Sequence, residues 1–225
     1  MKRKYFAKKL GMTQYNDDKG EVTPITVIQL LDQEPVLFKT VEKDGYNAVI
    51  YSYLNVKETK LSKPLREFYK KNNVKPKKFI SELRLDDNLT LTDDNLSDFN
   101  VCIDQLKIND LVSVRAKTKG KGFKGTIYAH NFARGPMSHG SKNHRLPGSI
   151  GAGTDPARVF KGTKMAKRVG NKYVTKKNLK VIFIDNENNI LYLKGSVPGN
   201  NNEILTISNW WRIKWNLQFL IIKKI

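Results

Sequence analysis

The sequence holds a single cysteine, Cys102, which excludes an intramolecular disulfide and a cysteine-built zinc site and fits a reducing compartment. No run reaches the eighteen or so apolar residues of a membrane helix. The basic opening, Met1 to Gly11, lacks the apolar core of a secretory signal. The most informative shortage is of acid. From Arg115 to Lys180, Asp155 is the single carboxylate among seventeen Lys and Arg, and these residues carry +16 of the chain's formal +20. The other 159 residues hold 24 basic and 20 acidic side chains, an ordinary balance. The same segment holds ten of the fifteen glycines and all three histidines. A segment so basic and glycine-rich repels itself and has little apolar surface to bury. Most of Lys119 to Lys164 is therefore expected to lack stable structure until it meets a polyanion. Nucleic acid is the fitting partner, because phosphates neutralise the cations and counterion release drives binding.

At 225 residues the chain has room for one large domain or two small ones, with a core of roughly 100 to 150 residues outside the basic segment. β-branched and aromatic content predicts strands at Val22–Leu31, Pro35–Val41, Tyr46–Leu54, Leu111–Ala116, Leu179–Asp185, Asn189–Val197 and Glu203–Ile207. Pro24 implies an edge or bulge in the first of these. Lys43-Asp44-Gly45 reads as a turn and Asp185-Asn186-Glu187-Asn188 as a hairpin connection. Pro64–Asn73 reads as a short basic helix. The span 82–110 has eight acids against Arg84 and Lys107 and reads as a solvated face. Many short strands without a βαβ rhythm point to a mainly β, antiparallel barrel or sandwich. The strands on either side of the basic segment are expected to pair, which makes Lys117–Asn178 an insertion. A loop this long inside a compact domain needs a functional reason, and its composition provides one.

Several motifs admit other readings. Lys119-Gly120-Lys121-Gly122-Phe123-Lys124-Gly125 contains a literal GxGxxG after a strand, but no amphipathic helix follows and Arg145 stands where an acid should hold a ribose. Glycines that admit close backbone approach, with lysines aimed at phosphates, fit better. His130, His139 and His144 lack the carboxylates of a metal or general-base site, apart from Asp155, and suit base stacking or donation to phosphates and 2′-hydroxyls. Ser138, His139 and Asp155 form a triad only on paper. Phe123, Phe132, Met137 and Phe160 either stack on unpaired bases or pin the loop to its own base. Trp210, Trp211 and Trp215, the only tryptophans, fall in Asn209–Ile225 beside Arg212, Lys214, Lys223 and Lys224. Packing within an assembly suits this tail better than lying on a membrane.

Lys119–Thr126, His139-Gly140-Ser141, His144–Gly151 and Asp155–Gly162 together resemble large-subunit ribosomal protein L-three of the bacterial type. Lys8–Thr13, Met165–Asn171 and Ile190–Gly199 resemble further segments of that family in the same order, so the likeness covers roughly residues 3 to 208. The resemblance implies a structural, non-enzymatic protein. Its fold would be a mainly β, antiparallel six-stranded barrel of the translation-protein type with a long, largely irregular basic extension. On that basis residues 1–117 and 178–208 form the barrel body, with a helical and acidic insertion near 60–110. Residues 118–177 form the RNA-penetrating extension, and 209–225 a Trp-rich tail that the family usually lacks.

The resemblance further implies early binding near the 3′ end of 23S rRNA, nucleation of subunit assembly, and an extension reaching toward the peptidyl-transferase centre. Its neighbours would be ribosomal proteins L-fourteen and L-nineteen, with no membrane and no homo-oligomer. The expected location is the ribosome, in the cytoplasm, with an organellar ribosome left open. No cofactor or protein-held metal is expected, since structural Mg2+ would be held by the rRNA. The RNA-binding residues would be the lysines Lys119, Lys121, Lys124, Lys142, Lys161, Lys164 and Lys167, the arginines Arg134, Arg145, Arg158 and Arg168, and His130, His139 and His144. The tip nearest the catalytic centre would be Gly148, Ser149, Ile150, Gly151, Ala152, Gly153, Thr154, Asp155 and Pro156. Many relatives carry a methylated Gln where this chain has Ala152, so that modification has no acceptor here. A general DNA-binding protein and an RNA-acting enzyme are the rivals. The single-insertion charge pattern opposes the first, and the lack of a carboxylate or metal cluster opposes the second.

Overall fold

A computed structural model describes residues 4–16, 20–85 and 103–208. Much of the acidic span, Cys102 and the Trp-rich tail lie outside these residues. Six strands close into an antiparallel barrel: β1 (Lys4–Asn16), β2 (Val22–Leu30), β6 (Leu111–Lys117), β9 (Tyr173–Asp185), β10 (Ile190–Lys194) and β11 (Ile204–Ser208). Their order around the barrel is β1-β11-β6-β9-β10-β2, so the first strand is flanked by the second and the last. This bears out the mainly β, barrel-and-extension expectation, including the adjacency of the strands that bracket the basic segment.

Period-two alternation builds the interior. Tyr5 and Ala7 of β1, Val112, Val114 and Ala116 of β6, Leu191 and Leu193 of β10, and Leu205 and Ile207 of β11 all point inward. Burying such side chains contributes about 1.5–3 kcal/mol each, and closure removes the unpaired edges of an open sheet. Between Tyr5 and Ala7, Phe6 faces the other way into a second core with Phe38, Val49, Tyr51, Tyr53 and Leu83. Its ring stacks on Tyr53 with centroids 4.0 Å apart. That core belongs to a separate three-stranded sheet, β3 (Gln33–Lys39), β4 (Ala48–Asn55) and β5 (Lys77–Arg84), which the sequence pattern does not separate from the barrel.

Local signals act as their chemistry dictates. The short helix α1 (Val41–Asp44) ends on Gly45 at φ 78° where a turn was expected. The helix α2 (Lys63–Lys71) carries Pro64 in its first turn, where its missing N–H costs nothing. Pro24 sits one residue beyond the β10 ladder, its carbonyl accepting from the Gly195 amide at 2.7 Å. In the 185–188 hairpin the Asp185 carboxylate accepts from the amides of Glu187 and Asn188 and from the Asn188 side chain. Those bonds, the Asn188 side chain foremost, hold its pKa below the usual carboxylate value.

Strands β1 and β5 were not anticipated, and each contains a buried lysine. A register shift in the β1–β2 pairing falls between Lys9 and Gly11, and a bulge of this kind re-aims a side chain. Lys9 is buried, its ammonium donating to the carbonyl of Val197 at 2.7 Å and of Gly199 at 3.2 Å. Its own backbone bonds Asn202 and Glu203. Lys77 in β5 is fully buried, with Asp32 at 3.5 Å and Glu34 at 3.4 Å.

Replacing Lys9 by Met keeps the stem's bulk but leaves the Val197 and Gly199 carbonyls without this donor. The expected loss is about 2 kcal/mol, read as a melting temperature about 4–8 °C lower in the free protein. An unchanged melting temperature contradicts this role for the ammonium.

Candidate nucleic-acid interface

The chain divides into two compact units, one comprising the described residues up to Ala116 and from Val174, the other Lys117–Tyr173. Val174–Lys177, which charge alone groups with the extension, thus lie in β9 of the first unit. The second unit begins with an antiparallel stem. The Thr118 amide donates to the Lys172 carbonyl and the Asn171 amide to Thr118, while the amides of Lys121 and Val169 donate across to the carbonyls of Val169 and Gly122. The two-residue strands β7 (Phe123–Lys124) and β8 (Lys167–Arg168) continue the ladder.

Glycine is required where these backbones touch. A Cβ on Gly170, at φ 75°, would stand 1.9 Å from the Lys119 carbonyl oxygen, and one on Gly135 would stand 1.8 Å from that of Asn143. These two, rather than the tip glycines, are the intramolecular close approaches. Gly148 and Gly151 instead have positive φ, while Gly153 has neither a positive φ nor a neighbour within 4 Å.

The helix α3 (Thr126–His130) follows the stem. Its Tyr128 was not anticipated as part of the site. The Lys121 ammonium bonds the Tyr128 hydroxyl, and Lys121 and Lys124 lie 5.1 and 5.6 Å from the ring centroid. Two cations converging on one aromatic ring form a compact positive lobe. The available signal was spacing, since Tyr128 falls four residues after Lys124.

Of the predicted cations, Lys119, Lys121, Arg134, Arg145, Arg158, Lys161, Lys164, Lys167 and Arg168 are exposed, as is Lys142, and Lys124 is half-buried. Among the described residues the ion pairs join Lys39 to Glu82, Lys70 to Glu58, and Lys77 to Asp32 and Glu34; none involves residues 117–172. The tip residues Gly148–Asp155 are exposed and Pro156 is half-buried.

The histidines divide. His130 meets the Met165 carbonyl at 3.0 Å and His144 the Pro136 carbonyl at 2.9 Å, so each commits one ring nitrogen to its own chain. His139 is exposed. The three do not assemble into a metal-holding cluster, and none occurs among the described residues.

The aromatic alternatives also divide. Phe132 is half-buried beside His130, whereas Phe123 is 72% exposed, Phe160 57% and Met137 57%. Arg158 lies over the Phe160 ring at 5.6 Å. Cations without ion-pair partners beside exposed apolar faces, with no metal-holding carboxylate cluster among the described residues, are the chemistry suited to neutralising phosphates and stacking on bases.

A profile of the family described as Ribosomal protein L3 matches residues 2–189. The large ribosomal subunit protein uL3c of Guillardia theta is 45% identical over 199 residues, 88% of this chain and 96% of that protein. The large ribosomal subunit protein uL3 of Finegoldia magna is 42% identical over 200 residues, 89% and 94% of the two chains. The uL3c of Porphyra purpurea is 44% identical over 204 residues, 89% and 96%.

The ladder bonds are confined to the stem, so hydrogen exchange in the free protein is expected to split the extension. The amides of Lys121 and Val169 should exchange more slowly than those of Ala152–Asp155. Equal protection at both ends contradicts the split.

Proposed function

The chain belongs to the Ribosomal protein L3 family, and from that membership we propose that its basic unit is a primary rRNA-binding extension running toward the peptidyl-transferase centre. At the coarser level the protein is a structural, non-enzymatic constituent of the large ribosomal subunit, located in the ribosome.

In the proposed reading the protein binds 23S rRNA near its 3′ end and nucleates subunit assembly, with ribosomal proteins L-fourteen and L-nineteen as neighbours and no second copy of itself. One observation carries it: the cations of residues 117–172 have no ion-pair partner among the described residues. Phosphates converging from separate RNA helices repel each other, and unpaired cations between them relieve that repulsion. Lysines act there as mobile point charges, while Arg134, Arg145, Arg158 and Arg168 bond phosphates bidentately or stack on bases. Residues Gly148–Pro156 form the tip, where Ala152 offers no methylatable amide. The site needs no cofactor, and any Mg2+ is held by RNA.

A tagged copy sedimented from lysate should stay in the large-subunit peak after a high-salt wash. Migration to the top fractions would sink the reading. Arg145 is exposed, so Arg145→Ala should leave the melting temperature of the free protein unchanged while weakening subunit assembly or altering drug response at the catalytic centre. A large loss of thermal stability contradicts its assignment to RNA.

A further inference from the structure

The extension is not the only concentration of positive charge. Lys57–Lys78 holds nine basic side chains against Glu58 and Glu67. Its +7 and the +16 of Arg115–Lys180 together exceed the chain's +20, so the residues outside these two segments are net acidic. The segment comprises a 3-10 turn at Glu58–Lys60, α2, and the start of β5. It belongs to the first unit, whereas the extension forms the second.

Folding sorts these cations into two groups. Three are committed internally: Lys77 to Asp32 and Glu34, Lys70 to Glu58 at 2.9 Å, and Arg66 to the carbonyls of Leu61 and Thr59. The other six, Lys57, Lys60, Lys63, Lys71, Lys75 and Lys78, are exposed, with no carboxylate in ion-pair range among the described residues. The amphipathic α2 turns Leu65, Phe68 and Tyr69 inward, which leaves Lys63, Glu67, Lys70 and Lys71 on its outer face. Beside it opens a cavity of about 390 Å³, lined by Arg66, Lys70 with its partner Glu58, and Lys75, together with Tyr69, Asn73, Val74 and Pro76. Arg66, Lys75 and the Lys70–Glu58 pair thus rim a concave, partly apolar site within a wider field of unpaired lysines.

We infer that this face is a second RNA-binding surface, which takes the phosphodiester backbone of an rRNA segment distinct from the one the extension binds. An anchored Arg66 and Lys70 set the geometry, while the six free lysines supply counterion release. The inference rests on the ribosomal reading above, because RNA is the polyanion that reading places beside the first unit.

The test uses the full chain and 23S rRNA transcript, with hydroxyl-radical footprinting and binding measured across salt. The variant Lys63→Gln/Lys71→Gln/Lys75→Gln/Lys78→Gln should erase one set of protected nucleotides and spare the extension's. It should also lower the slope of log affinity against log salt by about 3, near 0.7–0.9 for each phosphate that is no longer neutralised. An extension variant, Lys121→Gln/Lys124→Gln/Arg145→Gln, should do the reverse. If the quadruple variant does not fold, Lys63→Gln/Lys71→Gln should lower the slope by about half as much. An unchanged footprint and slope for the α2 variant, with the extension variant still losing its own, overturns this inference and leaves the ribosomal reading intact. Crosslinks from Lys71 to protein instead of RNA in assembled subunits also overturn it. No RNA protection by the wild-type chain overturns both.

Discussion

Uncompensated charge is the constraint from which the second unit follows. Lys117–Tyr173 holds thirteen Lys and Arg against the single acid Asp155, and no ion pair among the described residues relieves them. Such a segment cannot be folded into a core, because desolvating an unpaired ammonium costs far more than its stem gains. It forms a unit of its own and spends its few internal bonds on shape. The stem ladder, the two close-approach glycines and the carbonyl bonds of His130 and His144 do this, leaving the cationic heads outward. The barrel solves the complementary problem. Its closed ladder and alternating interior hold the two strands from which the basic segment departs and to which it returns.

The barrel strands were legible in sequence where alternation is clean. Leu111–Ala116, Asn189–Val197 and Glu203–Ile207 each lie within a few residues of an observed strand. The longer strands that escaped, β1 and β5, each carry a buried lysine, Lys9 within the first and Lys77 at the start of the second. Each is an inward cation satisfied by groups remote in sequence: carbonyls 188 and 190 positions away for Lys9, and Asp32 and Glu34 for Lys77. A buried charge announces itself only through its partner, and no local pattern names that partner.

The site was legible as charge and illegible as geometry. Counting residues located the cations, but nothing in the counts distinguished Gly170, where a Cβ would collide with the Lys119 carbonyl, from Gly153, where a Cβ would meet open space. Spacing places Tyr128 four residues after Lys124, but the convergence of Lys121 and Lys124 on its ring is visible only in the fold. The aromatics that composition leaves open differ in exposure: Phe132 lies half-buried beside His130, Phe123 is exposed, and Phe160 is exposed with Arg158 over its ring.

The barrel joins its first strand to its last, with Lys4 opposite Ser208, and the Lys9 ammonium donates to carbonyls of the turn at Val197–Gly199. A ribosome adding about 5–20 residues per second needs on the order of 10 to 40 s to pass from one to the other. Throughout that interval β1 has β2 alone beside it, and an open strand edge is a template for wrong pairing. The basic unit, complete by Tyr173, emerges before its own body is able to close. Synthesis therefore delivers an adhesive cationic arm on an unfinished scaffold, and an interrupted chain carries that arm without ever sealing the seam.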